Sequence, residues 1–175
     1  MSDASHIISS PADLQEQLIT SLRSELEEYG GLLNLLERQQ EAILARNPDS
    51  VLGLVAQIDA QIENTHACRK RREATMNELA CLSQFQGPAT LRKLIPYFRA
   101  VLRPLIEALA VEVNRLITET KRRAQQNQML LARSVELTQE LISHVSPRAV
   151  SKTYSARGRM KIQPAAGASR LLEKS

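Results

Sequence analysis

The sequence has little of the material from which β-sheets, stacking surfaces and membrane spans are built. Its 175 residues include no tryptophan, three tyrosines, two phenylalanines and six glycines. Aromatic residues are enriched in strands, and they supply the stacking platforms of proteins that hold single-stranded nucleic acid. No run approaches the roughly 18 uncharged apolar residues that a membrane-spanning helix needs. The composition therefore favours an all-α protein and disfavours a β-rich fold, a base-stacking nucleic-acid reader and a membrane-inserted chain.

The two cysteines predict neither a disulfide nor a metal centre. Cys68 and Cys81 are 13 residues apart on one predicted helix, and this spacing separates them by about 20 Å along the helix axis. Two isolated thiols cannot complete a zinc site. The N-terminus does not resemble a signal peptide, because Asp3 stands where a basic segment belongs and no apolar core follows it. We therefore expect ordinary reduced thiols in a cytoplasmic protein.

Candidate catalytic and metal-binding residues are few. The chain has three histidines, and it has neither a glycine-rich phosphate loop nor a Gly-x-Ser-x-Gly elbow. Glu63 and His66 have the spacing that di-iron bundles use. A second copy is missing, because Glu140 and His144 are four residues apart. We expect no enzymatic activity, no metal site, no cofactor and no small-molecule substrate.

Positive charge is concentrated at the C-terminal end. The whole chain carries +4, whereas residues 146–175 hold seven basic residues and one acidic residue, so this tail carries +6 and the preceding residues −2. The tail also lacks periodic hydrophobicity, which predicts disorder. The basic run at 69–72 spreads around a helix instead of forming one patch, and it weakly supports nucleic-acid binding. We divide the chain into a flexible N-terminus (1–9), a helical bundle domain (10–145) and a flexible basic tail (146–175).

Proline residues mark the limits of the first two long helices. Ser10 is a good helix cap, Pro11 suits the first helical position, and an aspartate follows three residues after the cap. Asn47 and Pro48 end this helix and start a second one, which runs to about Leu82. The predicted seam of the first helix consists of Leu14, Leu18, Leu22, Leu26, Tyr29, Leu33, Leu36, Gln40 and Ile43. That of the second consists of Val51, Val55, Ile58, Ile62, Thr65, Arg69, Arg72, Met76 and Leu79. Because both seams are largely apolar, the two helices are expected to pack against each other.

The third long helix carries the strongest pattern in the chain. Mostly apolar residues recur at alternating steps of four and three from Leu102 to His144, the spacing of one seam on a continuous helix. At about 1.5 Å per residue, this helix is about 60 Å long. The predicted fold class is all-α: an elongated antiparallel helical bundle or coiled coil of three long helices plus a short helical segment, with a disordered basic C-terminal tail.

Polar residues interrupt the second half of this seam. Thr120, Arg123, Asn127 and Ser134 stand where a tight coiled coil would have leucine. Such residues fix the alignment of helices, or they mark a part of the helix that has no partner and is wet. A combination of the two leaves Leu130, Leu137 and Leu141 as an apolar stripe that could bind an amphipathic helix of another protein. A plain solvent-exposed surface is the alternative.

Two short motifs resemble those of the FlgN family of flagellar type III export chaperones. The first is Lys121-Arg-Arg-Ala-Gln-Gln-Asn-Gln-Met-Leu-Leu131, and the second is Thr153-Tyr-Ser-Ala-Arg-Gly-Arg159. They are similar to the family's Asn-x-x-Asn-Gly-x-Leu-Leu stretch at the end of the long helix and to its Tyr-Gly-x-x-Gly motif in the tail. The matching positions are Asn127, Leu130, Leu131, Tyr154 and Gly158, whereas Ala124, Gln128 and Ser155 replace the family's Asn, Gly and Gly.

The resemblance implies a non-enzymatic chaperone. Its cargo would be the C-terminal helical segments of the hook–filament junction (hook-associated) proteins, which it keeps from assembling early and delivers to the flagellar export gate. The implied cargo-binding residues are Asn127, Leu130, Leu131, Ser134, Leu137 and Leu141. Tyr154 and Gly158 would dock at the export gate, and a homodimer is left open. The alternatives are a structural coiled-coil adaptor and, with less support, a helical protein that binds nucleic acid.

Overall fold

The computed structural model describes residues 10–145, 150–154 and 160–164. The chain divides into two units, Met1–Asn127 and Gln128–Ser175. Nearly all of the described residues are helical, which confirms the predicted all-α class.

In the first unit, two long helices form an antiparallel hairpin. Helix α1 spans Pro11–Leu44 and α2 spans Pro48–Leu82. The predicted capping box is present, since Asp13 N–H donates to Ser10 Oγ at 3.2 Å and Ser10 N–H donates to the Asp13 carboxylate at 3.1 Å. Asn47 caps α2 by accepting the Ser50 N–H at 3.1 Å. These caps satisfy backbone donors that helices otherwise leave unpaired.

A compact connection leads from α2 to the next long helix. It contains a one-turn helix α3 (Leu91–Leu94) and a 3₁₀ turn (Ile95–Tyr97), and then α4 runs from Arg103 to Val145. Arg103 holds the connection, because its guanidinium donates to the carbonyl oxygens of Phe98 at 3.0 Å and Pro96 at 2.8 Å. Because α4 begins at Arg103, Pro104 is its second residue and does not lie in its interior, where a proline would kink the helix.

Two separate groups of buried side chains hold the first unit together. The first core cluster joins the start of α1, the end of α2, the connection and the start of α4; it contains Leu14, Leu18, Ile19, Leu22, Met76, Leu79, Ala80, Leu94, Phe98, Ile106 and Val113. The second core cluster lies nearer the turn between α1 and α2; it contains Leu32, Leu36, Ala42, Leu54 and Ile58. These memberships show that α4 runs parallel to α1 and antiparallel to α2.

The seams of α1 and α2 differ from the predicted ones at several steps. In α1 the structure buries Glu25 and leaves the predicted Leu26 only half-buried. In α2 it buries Leu54 and Cys68, whereas the predicted Val55 and Arg69 are exposed. Glu25 is the less apolar of the two neighbours, but a charged residue can occupy a core position when a partner neutralises it, as Arg72 does here.

The second unit begins inside α4, which continues from Gln128 to Val145. Two strands follow, β1 (Val150–Tyr154) and β2 (Met160–Pro164), and they pair antiparallel with Tyr154 opposite Met160. These strands are not predicted from the sequence, because each is a five-residue run within a segment of scattered polar and basic residues. The other residues of the tail and residues 1–9 lie outside the described part, so the flexibility expected there stays a prediction.

Candidate functional site

Only one row of α4 residues is buried, and it ends part-way along the helix. The buried residues are Ile106, Val113, Thr120 and Asn127, at intervals of seven. A seven-residue interval is two helical turns, so these side chains form one line on the helix. The predicted seam of α4 is therefore correct as far as Asn127.

Polar side chains make the last contacts of this row with α1. The Asn127 side chain is 2% exposed, and its amide donates to the Leu36 carbonyl oxygen at 2.8 Å and to Gln39 Oε1 at 2.9 Å. Arg123 donates to Gln40 Oε1 and, at 3.4 Å, to Glu37 Oε1. Both residues thus align α4 with α1, which supports the first interpretation of the polar interruptions.

Beyond Asn127 no apolar side chain of α4 is buried. Leu137 is 40% exposed and Leu141 is 66% exposed, and Ser134 between them is also exposed. Leu130 and Leu131 are half-buried. The second interpretation, a solvent-exposed part of the helix without a partner, therefore applies to Ser134 and to the leucines that follow it.

The exposed stripe is broader than the sequence analysis predicts. We call this set of residues the apolar face of α4; it consists of Leu130, Leu131, Val135, Leu137, Leu141, Ile142 and Val145. At about 100° of rotation per residue, these side chains lie within an arc of about 160° around the helix axis. A strict 4/3 series follows only a single line, so it missed Val135, Ile142 and Val145, and a count of all apolar residues within the arc would have found them.

Charged residues of the same segment lie outside this arc. Arg133 and Glu136 form an exposed ion pair at 3.3 Å, and Glu140 lies on the same side of the helix by rotation. Elsewhere on α4, the Arg115 guanidinium donates to Glu112 at 2.9 and 2.7 Å. These hydrogen bonds hold the pKa of the Glu112 carboxyl below its ordinary value. An uncharged face with a charged back is the pattern of a helix that packs against an apolar partner.

The predicted site residues thus fall into three groups. The Asn127 side chain is buried and bonded to α1, so in this conformation it does not contribute to the exposed surface. The leucines that follow it and Ser134 share one side of α4. Tyr154 is the last residue of β1, whereas Gly158 lies outside the described residues.

The match to known families covers most of the chain. Residues 14–162 match the family described as FlgN protein. The chain belongs to the FlgN family. No curated protein and no solved structure matches the chain. FlgN proteins are flagellar export chaperones, and family membership assigns this chain to that general class.

Other candidate sites in this FlgN protein do not assemble. Glu63 and His66 are both exposed on α2, and within the described ranges no three His, Cys, Asp or Glu side chains lie close enough to hold a metal ion. Cys68 is buried and Cys81 exposed, and both are free thiols. Among the described helices, none combines the length and the hydropathy that crossing a bilayer requires.

Proposed function

We propose that this FlgN protein binds the C-terminal helical segments of hook–filament junction proteins on the apolar face of α4. Bound cargo would be kept from assembling early and brought to the export gate from the cytoplasm. One observation carries the proposal: the apolar face of α4 is exposed to solvent from Leu137 to Val145. Soluble monomers rarely expose contiguous apolar patches of this kind, and such patches mark interaction sites.

The apolar face is suited to reversible capture of an amphipathic helix. Burying an exposed leucine or isoleucine side chain contributes roughly 1.5–3 kcal/mol. Much of this gain is offset by the entropy lost when the partners associate and a flexible cargo segment orders. Because charged groups lie on the other side of the helix, binding would desolvate no ion pair. Affinity would then be moderate, as a chaperone that must release its cargo requires.

The tail would supply the second step, delivery to the export gate. It carries Tyr154 and Gly158, which match the family's tail motif, and a net charge of +6 over residues 146–175. Tyrosine is a frequent hot-spot residue because it buries a large ring and retains one hydrogen-bonding group. A basic segment also speeds its encounter with an acidic partner surface.

Replacement of two leucines tests the cargo-binding surface. Leu137→Asp with Leu141→Asp places two carboxylates on the apolar face, and we expect cargo affinity to fall about 100-fold, because a bound helix would bury these charges. Fluorescence anisotropy with a labelled peptide from the C-terminal helical segment of a junction protein measures this affinity. Leu52→Asp is the matched control, since Leu52 is 70% exposed on α2 and Leu141 is 66% exposed.

Helicity by circular dichroism should be the same in all three proteins. Normal capture by the double variant would contradict the proposed surface. A concentration-dependent dimer that occupies the same face and never yields to cargo would support the structural adaptor instead.

A tail variant tests delivery separately. Tyr154→Ala should leave cargo affinity unchanged and reduce secretion of junction proteins and motility about tenfold, because one anchoring ring is lost. Ser151→Ala in the same strand is the control. Secretion equal to wild type in Tyr154→Ala would remove the docking role from this residue.

A further inference from the structure

The two core clusters of the first unit receive very different contributions from α4. The first cluster gains Ile106, which is 0% exposed, and Val113, which is 3% exposed. The second cluster gains from α4 only the half-buried methyl group of Ala124. Thr120 and Asn127, the buried α4 residues on either side of Ala124, are polar. The same helix is thus held by apolar packing at its start and by polar contacts above the second cluster.

Unsatisfied polar atoms weaken these contacts further. Thr120 Oγ1, Arg123 Nε and Asn127 Oδ1 are buried and have no hydrogen-bond partner among the described residues. An unpaired buried polar group favours the solvated state by roughly tenfold or more. Separation of α4 from α1 at this level would return all three atoms to water, so the closed state is only modestly preferred there.

The surface beneath this part of α4 does not depend on α4 for its own structure. Cα atoms of α1 and α2 approach within 8 Å along the hairpin, whereas α4 stays farther than this from both helices almost everywhere. Gln61 of α2 donates to the Glu28 carbonyl oxygen at 2.9 Å and to its carboxylate at 2.6 Å. The α1–α2 hairpin would therefore keep its shape if this part of α4 moved away.

We propose that residues 120–127 of α4 form a releasable strap, and that the α1–α2 groove beneath it is a second binding surface for the cargo helix. The inference rests on the proposed function. The floor of the groove is the second core cluster, and its rim offers acceptors to which the strap now donates: the Leu36 carbonyl and the side chains of Glu37, Gln39 and Gln40. The groove fits an amphipathic helix whose apolar stripe is flanked by amide or guanidinium donors.

Strap release and cargo affinity are then thermodynamically linked. Cargo that binds the open groove has an apparent dissociation constant equal to the intrinsic constant divided by the open fraction. A substitution that stabilises the closed strap must weaken cargo binding by the factor by which it reduces opening. A released strap lacks tertiary support, and unsupported helices are marginal in water, so its amides exchange with solvent when it opens.

A matched pair of threonine variants provides the test. Thr120→Val removes the unpaired hydroxyl at nearly constant volume, and we expect amide hydrogen exchange of residues 120–127 to slow about tenfold. Cargo affinity should fall by the same factor. Thr75→Val is the control, because Thr75 is similarly buried but donates to the Arg71 carbonyl oxygen at 3.2 Å. This control should change neither the exchange of residues 120–127 nor cargo affinity.

The possible outcomes separate the inference from the proposed function. Slower exchange with unchanged cargo affinity would overturn the groove and leave the apolar face as the binding surface. Wild-type exchange at residues 120–127 as slow as that of residues 106–113 would overturn the strap. Normal cargo capture by the Leu137/Leu141 aspartate variant would instead contradict the proposed function, whatever the threonine variants do.

Discussion

Glu25 is a carboxylate with no exposed surface, in the middle of α1. Its Oε1 accepts the Nε–H of Arg72 at 2.9 Å, and the Arg72 side chain is 18% exposed. The Oε2 atom has no partner among the described residues. A buried charge is tolerable only while its counter-charge is in place. This pair therefore ties the middle of α1 to α2 at one defined point.

Removal of the arginine should destabilise the fold strongly. Arg72→Ala leaves the Glu25 carboxylate buried without compensation, and we expect a loss of about 3 kcal/mol in the free energy of unfolding. Urea denaturation followed by circular dichroism measures it. Arg69→Ala is the matched control, since Arg69 and Glu73 are 3.8 Å apart and exposed, and this change should cost about 0.5 kcal/mol or less.

The double variant Glu25→Met with Arg72→Met checks the cause. Apolar side chains of similar size should restore stability to within about 1 kcal/mol of wild type, because a buried ion pair adds little over good packing. A double variant as unstable as Arg72→Ala would show that packing, and not the unpaired charge, accounts for the loss.

At the scale of single elements, helix limits could be predicted from the sequence better than helix faces. Pro11 and Pro48 are each the first residue of a helix, and the fixed backbone angle and missing N–H of proline favour that position. Glu25 could not be assigned to the core in the same way, because its burial depends on Arg72, 47 positions away. The two strands are too short to stand out from a polar tail.

For the candidate site too, one property could be predicted from the sequence and another could not. The seam of α4 showed which side of the helix carries leucines, so the apolar face could be located from the sequence. Whether α1 covers that side could not be determined, since Asn127 and Leu137 look equally placed in the pattern. The burial of Asn127 depends on Leu36 and Gln39, which lie about 90 positions away in the sequence.

Two adjacent glycines of α1 should respond differently to the same substitution. A Cβ at Gly30 would meet no atom within 4 Å, whereas a Cβ at Gly31 would lie 3.0 Å from Nε2 of Gln61. Gly30→Ala should raise the free energy of unfolding by about 1 kcal/mol, because alanine has the higher helix propensity. Gly31→Ala should fall short of Gly30→Ala by at least about 1 kcal/mol, because the Gln61 amide must shift away from Glu28.

Thermal unfolding of the two alanine variants beside the wild type provides the measurement. Equal gains at both positions would mean that α1 and α2 do not approach closely at Gly31. Of the two glycines, Gly31 is the one at which α2 approaches α1 closely.

At the scale of the whole molecule, both core clusters lie in the first unit. A chain that ends at Ser134 should therefore keep its thermal midpoint within a few degrees of the full-length protein, yet lose cargo capture with Leu137 and Leu141. A chain that ends at Glu112 also loses Val113 from the first cluster, and its midpoint should fall by on the order of 10 °C.

Calorimetry and peptide binding on the two truncated chains measure these effects. A chain ending at Ser134 that unfolds well below the full-length protein would show that the second unit contributes to global stability. Full cargo capture by that chain would move the binding surface to the first unit alone.

The buried row of α4 stops at Asn127, and no residue between Gln128 and Val145 is buried. Insertion or deletion of whole helical turns in that stretch would leave every interior side chain of the hairpin untouched. The length of α4 beyond Asn127 can therefore change during evolution while the free energy of unfolding of the first unit stays the same.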